Sequence, residues 1–107
     1  IRLNGFSNVE MVEGEAEKVI AEQCAQAPPD IVSVDPPRVG MHPKVLKAVA
    51  EARPRQVLYI SCNPSTLARD AVELIEAGYS LERVIPVDMF PHTAHIEAFA
   101  RFDLRPR

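Results

Sequence analysis

A cysteine lies directly behind a strongly apolar stretch of this chain. Cys62 follows the run Val57–Ile60 and comes just before Ser65, a residue type that often begins a helix. In α/β proteins the loop between a buried strand and the next helix often carries reactive groups. A thiolate there would be a nucleophile, and backbone N–H groups at the helix start would favour that charged form. A small residue buried in a tight turn explains the position equally well.

A second polar loop follows the short apolar run Ile31–Val34 and begins Asp35-Pro36-Pro37-Arg38. Two consecutive prolines fix two φ angles and remove two backbone donors, so the loop is stiff and its carbonyls can face a ligand. Methyltransferases that act on amino groups of bases use a similar loop with an aromatic fourth residue. Arg38 stands in that place here, which argues against a base stacked on it. A strand-ending turn with a surface ion pair is the alternative.

Acidic residues and histidines supply the other candidates. Glu97 begins an alternating segment, where a carboxylate either faces water or serves as a general base. Glu15 belongs to a group of glutamates that fits a solvated helix N-terminus, or else supplies one carboxylate that accepts a hydrogen bond from a nucleotide amino group. His92 and His95 lie close together in a proline-containing loop. A hydrogen bond that orders this loop explains them better than metal binding, and we predict no metal site.

The hydrophobic pattern places these residues on an α/β framework. The predicted strands are Asn8–Val12, Ile31–Val34, Val57–Ile60, Leu81–Val87 and Ile96–Leu104. Helical spacing of apolar residues predicts three helices, which begin at Glu15, Pro43 and Ser65 and end before Pro28, before Pro54 and at Gly78. Helices between successive strands indicate βαβ crossovers and a mostly parallel sheet. The last two strands are joined by a loop alone, which favours antiparallel pairing.

The same pattern predicts which side chains are buried. The runs Ile31–Val34 and Val57–Ile60 are expected to form buried strands. Cys24 falls on the apolar face of the first helix, where a buried structural thiol is the usual role. The helix that begins near Ser65 is expected to bury Leu67, Ala71, Val72, Leu74 and Ile75.

Length and composition limit the possible functions. The chain has 107 residues, is 47% hydrophobic and 25% charged, and fits one small globular domain. A formal net charge of −3 gives no support for nucleic-acid binding by the chain alone. No apolar run reaches the roughly 18 residues that a membrane span needs. Because the first residue is Ile1, we expect an excerpt of a longer chain. Two cysteines favour a cytosolic protein without a disulfide and cannot form a four-cysteine zinc site.

Two longer segments resemble those of a known family. The first joins DPPRVG at 35–40, across a spacer, to VLYISCNPST at 57–66, and the second is DMFPHTAHIE at 88–97. Both resemble the RNA uridine C5-methyltransferases, which use S-adenosylmethionine, and residues 4–17 are also similar to that family. The resemblance implies a partial Rossmann-like class I methyltransferase fold. Such a fold is an α/β structure whose mostly parallel sheet has an antiparallel C-terminal strand.

The resemblance also implies a covalent mechanism. Cys62 corresponds to the cysteine that attacks carbon 6 of the target uracil, which makes carbon 5 a nucleophile for the methyl group. Glu97 corresponds to the base that removes the proton from carbon 5, so that elimination frees the cysteine. DNA cytosine methyltransferases carry their nucleophile in the loop occupied here by Asp35–Arg38, and RNA cytosine enzymes often have a cysteine in both loops. A cysteine in the later loop alone favours uridine.

Other residues take binding roles by the same resemblance. Asp35 would lie beside the methyl donor and the target base, and Glu15 would contact the adenine amino group of S-adenosylmethionine. Arg38, Asn63 and Pro64 would orient the substrate. Two alternatives stay open: a base amino-methyltransferase that uses the Asp-Pro-Pro loop, and an inactive interaction or folding module.

The resemblance further implies that residues 1–107 are the C-terminal part of a catalytic domain, without the glycine-rich donor loop and the RNA-binding domain. The family's sheet order is 3-2-1-4-5-7-6, and this chain would hold strands 3 to 7. We expect strands 4, 5, 7 and 6 to form the ordered sheet, while strand 3 re-pairs beside strand 4, swaps into another copy or stays unpaired. The full-length enzyme would act on tRNA or rRNA in the cytoplasm, away from membranes, and the isolated segment would be inactive.

Overall fold

The computed structural model describes residues 8–87 and 97–106. Its helices are α1 (Ala16–Gln26), α2 (Pro43–Ala52) and α3 (Pro64–Glu76). Its strands are β1 (Ile31–Val34), β2 (Gln56–Ser61), β3 (Tyr79–Val87) and β4 (Glu97–Leu104). His92 and His95, which come before β4 in the sequence, are outside the described residues. Within the described ranges, no helix is long and apolar enough to cross a membrane.

The strands form one sheet in the order β1-β2-β4-β3. β1 and β2 are parallel, and β4 is antiparallel to both β2 and β3, so β1, β2 and β3 run in one direction. The prediction of a mostly parallel sheet with an antiparallel C-terminal strand is confirmed. The predicted order 4-5-7-6 is also confirmed, because the family's strands 4, 5, 6 and 7 correspond to β1, β2, β3 and β4.

The hydrophobic core lies between one face of this sheet and helices α2 and α3. Its fully buried large apolar side chains come from both helices and from strands β2, β3 and β4: Val49, Val57, Tyr59, Leu74, Tyr79 and Phe102. Strand β4 alternates as predicted, with Ala98, Ala100 and Phe102 buried and the residues between them more exposed. The other face of the sheet carries no helix among the described residues, and apolar side chains such as Phe99 are partly exposed there.

Two predictions about the N-terminal half are wrong. Residues 8–12 do not form a strand, because no strand of the described sheet pairs with them, and their side chains are exposed. Strand β1 is not fully buried, because it lies at the edge of the sheet and has β2 as its one neighbour there; Ile31 is 43% exposed. Cys24 is half-buried, and α1 contains no fully buried residue.

Two details of α3 also differ from the prediction. The N-cap is Asn63, whose side chain accepts a hydrogen bond from the Ser65 N–H; Pro64 occupies the first helical position. Val72 and Ile75 are exposed, because the buried face of the helix is narrower than predicted and includes Asp70 in place of them. The helix ends as expected before Gly78, which has a positive φ of 113°.

Candidate active site

The ends of three strands bring the predicted site residues to one edge of the sheet. β1 and β2 are parallel with Val34 opposite Tyr59, so both strands end at this edge. β4 runs the other way and therefore begins there. Asp35 follows β1, Cys62 follows β2, and Glu97 is the first residue of β4. Segments that are far apart in the sequence thus contribute an acid, a thiol and a second acid to one edge.

The register of β2 with β4 relates Cys62 to Glu97 directly. The last pair of the ladder is Ser61 opposite Ala98, and Cys62 and Glu97 are the residues that adjoin this pair on their two segments. Ser61 and Ala98 are buried on the helix-covered face, so the next residues belong to the open face. The side chains of Cys62 and Glu97 are both half-buried, which keeps the thiol outside the apolar core.

A tight turn fixes the backbone around Cys62. The Ser61 hydroxyl accepts a hydrogen bond from the Asn63 N–H (3.0 Å) and donates one to the Asn63 carbonyl (2.9 Å). The α3 amides nearest to the thiol are not available to a thiolate, since Pro64 has no N–H and the Ser65 N–H bonds to Asn63 Oδ1. The thiol therefore lies in a hydrogen-bonded turn directly before the start of α3.

The loop after β1 is held against this turn. The Gly40 N–H closes a turn onto the Pro37 carbonyl (2.8 Å). The Arg38 carbonyl accepts hydrogen bonds from Asn63 Nδ2 (3.0 Å) and from the Thr66 hydroxyl (3.1 Å). Asn63 uses both ends of its amide in this way, one to cap α3 and one to tie the two loops. Its predicted role in orienting substrate, like those of Arg38 and Pro64, stays a prediction.

A buried acid extends the connection. Asp70 is 1% exposed, and its Oδ2 atom accepts hydrogen bonds from the Met41 N–H (2.8 Å) and the Tyr59 hydroxyl (2.6 Å). Arg69 donates from Nη2 to the Val39 carbonyl at 2.6 Å. Burial and the hydrogen bond to Asp70 raise the pKa of Tyr59, so its hydroxyl stays protonated and remains a donor. Asp70 was not among the residues predicted from the sequence, although a charged residue on the apolar face of a predicted helix was a usable signal.

A cavity of about 1210 Å³ lies beside the loop after β1. Asp35, Pro36 and Pro37 line it, together with side chains of all three helices. Glu17 also lines it, and the backbone N–H at the start of α1 lowers the pKa of that carboxyl. Glu15 is not among the described lining residues; its carboxylate pairs with Lys18 Nζ at 3.2 Å on the surface.

The chain is similar to RNA methyltransferases over nearly its whole length. The family model described as tRNA (uracil-5-)-methyltransferase matches residues 23–102, which is more than half of the chain. An uncharacterized RNA methyltransferase of Halalkalibacterium halodurans is 49% identical over 97% of this chain and 23% of its own length. One of Chlorobaculum tepidum is 44% identical over 94% of this chain and 22% of its own length. The chain thus spans less than a quarter of these relatives.

Solved structures agree with this similarity. The tRNA (uracil-54, C5)-methyltransferase of Pyrococcus abyssi, in complex with S-adenosyl-L-homocysteine, superposes with a TM-score of 0.62 and 44% identity over 68% of this chain and 18% of that one. The M1.HpyAVI–SAM complex superposes with a TM-score of 0.66 over 90% of this chain and 53% of that one. At 16% identity, the second match concerns the fold alone. The α/β sheet described above is therefore part of a class I methyltransferase fold.

Proposed function

Because this chain belongs to the tRNA (uracil-5-)-methyltransferase family, we propose that it is the C-terminal catalytic segment of an enzyme that methylates carbon 5 of a uridine in tRNA or rRNA. The observation that carries the proposal is that Cys62 and Glu97 both adjoin the last residue pair of the β2–β4 ladder, Ser61 and Ala98. A nucleophile and a base at the ends of adjacent strands can act on one small ring. Asp35 follows the neighbouring strand at the same edge.

The proposed reaction uses Cys62 to activate the base. Carbon 5 of uracil is a weak nucleophile, so the Cys62 thiolate first adds to carbon 6, and the electron pair of the ring double bond moves towards the carbonyl at carbon 4. Carbon 5 of the resulting enolate then bonds to the methyl group as the sulfur–methyl bond of the donor breaks. S-adenosylmethionine would supply that methyl group when bound, with S-adenosylhomocysteine as the leaving group. Glu97 removes the proton from carbon 5, the carbon–sulfur bond at carbon 6 breaks, and the ring double bond and the thiolate are restored.

The residues beside the cavity fit S-adenosylmethionine. Its ammonium and adenine amino groups are donors, and the carboxylates of Asp35 and Glu17 at the cavity are acceptors. The volume of about 1210 Å³ exceeds the roughly 300–1,000 Å³ usual for small-molecule sites. The adenine contact of Glu15 stays a prediction. Since the chain spans less than a quarter of its relatives, we expect calorimetry on the 107-residue chain to show no tight binding, and micromolar affinity would contradict this.

The net charge of −3 places most of the RNA-binding surface in other parts of the enzyme. Target choice then depends on RNA shape and single-stranded loops. Self-association through the open edge of β1 is a separate expectation, and sedimentation of the 107-residue chain would reveal it. A cytoplasmic location follows from the proposed RNA substrate.

The central test is covalent trapping on the full-length enzyme that contains this chain. With S-adenosylmethionine and RNA that carries 5-fluorouridine, the adduct cannot lose a proton from carbon 5 and should persist on a denaturing gel. Cys62→Ala should abolish the adduct and lower methylation of ordinary RNA roughly 10⁴-fold or more. Cys24→Ala is the matched control, because it removes another half-buried thiol, one that does not line the cavity, and it should keep both activities.

Each contrary outcome has a distinct meaning. Methylation that survives Cys62→Ala would refute the covalent mechanism and would favour an amino-methyltransferase that uses the Asp-Pro-Pro loop. A wild-type enzyme that neither methylates RNA nor forms an adduct would favour an inactive module.

A second variant tests the proposed base. Glu97→Gln should slow turnover by about 10²–10⁴-fold and should cause a methylated adduct to accumulate even on ordinary uridine. Glu82→Gln is the control, because Glu82 is an exposed carboxylate of β3 away from the edge that carries Cys62. Loss of turnover without accumulated adduct would assign Glu97 to an earlier step.

A further inference from the structure

We propose that Asp70 and Tyr59 are positioning residues that hold the Asp35-to-Met41 loop and the Cys62 turn in one fixed arrangement. Neither residue was predicted from the sequence to touch substrate or donor, although Asp70 lines the same cavity as Asp35. The inference rests on the proposed function, because it concerns how the two halves of that site keep their spacing.

A single buried carboxylate oxygen connects three segments of the chain. One buried oxygen, Asp70 Oδ2, accepts from the backbone of Met41 at 2.8 Å and from the hydroxyl of Tyr59 at 2.6 Å. The three groups come from the loop after β1, from α3 and from strand β2, whose end carries Cys62. A carboxylate that is 1% exposed has little water to exchange for these partners, so the arrangement is rigid.

The loop that follows β1 also packs closely against α3. Gly40 has a φ of 90°, and a Cβ atom placed on it would lie 2.9 Å from Asp70 Oδ2 and 3.2 Å from Thr66 Cβ. The helix also binds two successive loop carbonyls, those of Arg38 and Val39. The loop is therefore attached to α3 along its length and not at a single point.

The β1–β2 ladder does not itself hold the loop after β1 in place. β1 is an edge strand of four residues, and its ladder with β2 ends before Asp35 is reached. Beyond that ladder, side chains of Asn63 and α3 bind the loop backbone, and Asp70 of α3 also binds Tyr59 of β2. A displacement of about 1 Å between reacting groups can cost on the order of 10²-fold in rate. Weakening the Asp70 contact should therefore reduce chemistry more than binding.

A matched pair of tyrosines tests this in the full-length enzyme. Tyr59 and Tyr79 are both fully buried, and each donates one hydroxyl hydrogen bond, Tyr59 to Asp70 and Tyr79 to the Pro54 carbonyl at 2.5 Å. Tyr59→Phe should lower kcat about 10-fold or more and slow adduct formation with 5-fluorouridine RNA equally, with KM for RNA nearly unchanged. Tyr79→Phe should change kcat less than about 2-fold, because its partner lies away from the site.

The acid itself provides the second variant. Asp70→Asn keeps the size of the side chain and one acceptor oxygen, so it should fold and lose about 10-fold to 100-fold in kcat. Asp70→Ala removes both acceptors and should lose more. Assays well below the melting temperature of every variant separate positioning from unfolding.

The outcomes distinguish this inference from the proposed function. A wild-type enzyme without a Cys62 adduct overturns the proposed function. An active wild type in which Tyr59→Phe and Tyr79→Phe lose the same small fraction of kcat overturns the positioning role alone. Equal losses in kcat and in RNA affinity for Tyr59→Phe would also overturn it, since a substrate-binding residue would behave in that way.

Discussion

Helices α3 and α1 serve the two sides of the candidate site very differently. α3 buries four residues, one of them an acid, and binds the backbone of the neighbouring loop: Leu67, Asp70, Ala71 and Leu74. α1 buries none, and its apolar side chains are at most half-buried. On the Cys62 side of the site, a well-packed helix therefore holds the neighbouring loop through contacts within the described residues. The side that carries Glu15 and Glu17 lies on a helix that adds little to the core.

Truncation of one apolar side chain in each helix gives the largest contrast. Leu74 of α3 is fully buried, so Leu74→Ala should lower the free energy of unfolding by about 3 kcal/mol through lost burial and a cavity. Ile20 of α1 is half-buried, and Ile20→Ala should cost about 1 kcal/mol. Urea denaturation of the 107-residue chain measures both. Equal costs would show that α1 belongs to the core.

Two glycines with positive φ sharpen the same contrast. Gly40→Ala should cost about 2–3 kcal/mol, because the left-handed backbone is strained by a side chain and the new Cβ meets the buried Asp70. Gly14→Ala also strains a positive φ, of 143°, but should cost only about 1 kcal/mol, because the exposed segment before α1 can change its backbone angles and shift away from Val19. Melting temperatures of the two variants should differ accordingly. A larger loss of stability for Gly14→Ala than for Gly40→Ala would show that the segment before α1 is held more rigidly than the loop after β1.

The N-caps of the two helices give a smaller difference. Asn63→Ala removes the cap of α3 and the hydrogen bond to the Arg38 carbonyl, so it should cost about 1–2 kcal/mol. Glu15 makes no side-chain cap hydrogen bond to α1, and its exposed pair with Lys18 contributes little, so Glu15→Ala should change stability by less than about 0.5 kcal/mol. Chemical denaturation under the same conditions compares the two.

Much of the fold followed from local sequence patterns. Apolar spacing and chain breakers predicted each helix to within a few residues, and short connections predicted the antiparallel pairing of β3 with β4. The order of the four strands came from the family resemblance. Burial of β1 was predicted wrongly because it depends on neighbouring strands, which a local run of β-branched residues does not specify. The cap of α3 could have been found, since Pro64 favours the first helical position and leaves Asn63 as the cap.

The candidate site was less accessible to such patterns. The spacing of Cys62 and Glu97 in the sequence contains nothing about the β2–β4 register that brings both to the same end of the ladder. The resemblance alone assigned them to one mechanism. Asp70 was not predicted because apolar spacing identifies only the apolar residues on the buried face of α3. The proposed positioning role of Asp70 depends on hydrogen bonds from two other segments, through Tyr59 and Met41.

The smallest expected effect concerns two carboxyls whose pKa values are lowered in the two regions. In β4, hydrogen bonds from Arg101 and then from Gln56 lower the pKa of Asp103 below its usual 3.8. In α1, the backbone N–H at the helix start lowers the pKa of Glu17 below its usual 4.5. A lowered pKa in the folded state stabilises the fold above the usual value, and that stabilisation is lost as the pH falls through the folded pKa.

Acid titration followed by hydrogen exchange should therefore separate the two regions. Asp103 lies in the sheet beside β2, so its protonation below pH 3.8 should weaken amide protection across β2 and β4, and Asp103→Asn should remove that part of the pH dependence. Protonation of Glu17, below pH 4.5, should weaken protection in α1 alone. Salt should reduce the Asp103 effect, because that side chain is 33% exposed and its ion pair is partly screened. If protonation of Glu17 also opened the sheet, α1 would be an integral part of the cooperative core, and the distinction between the two helices would fail.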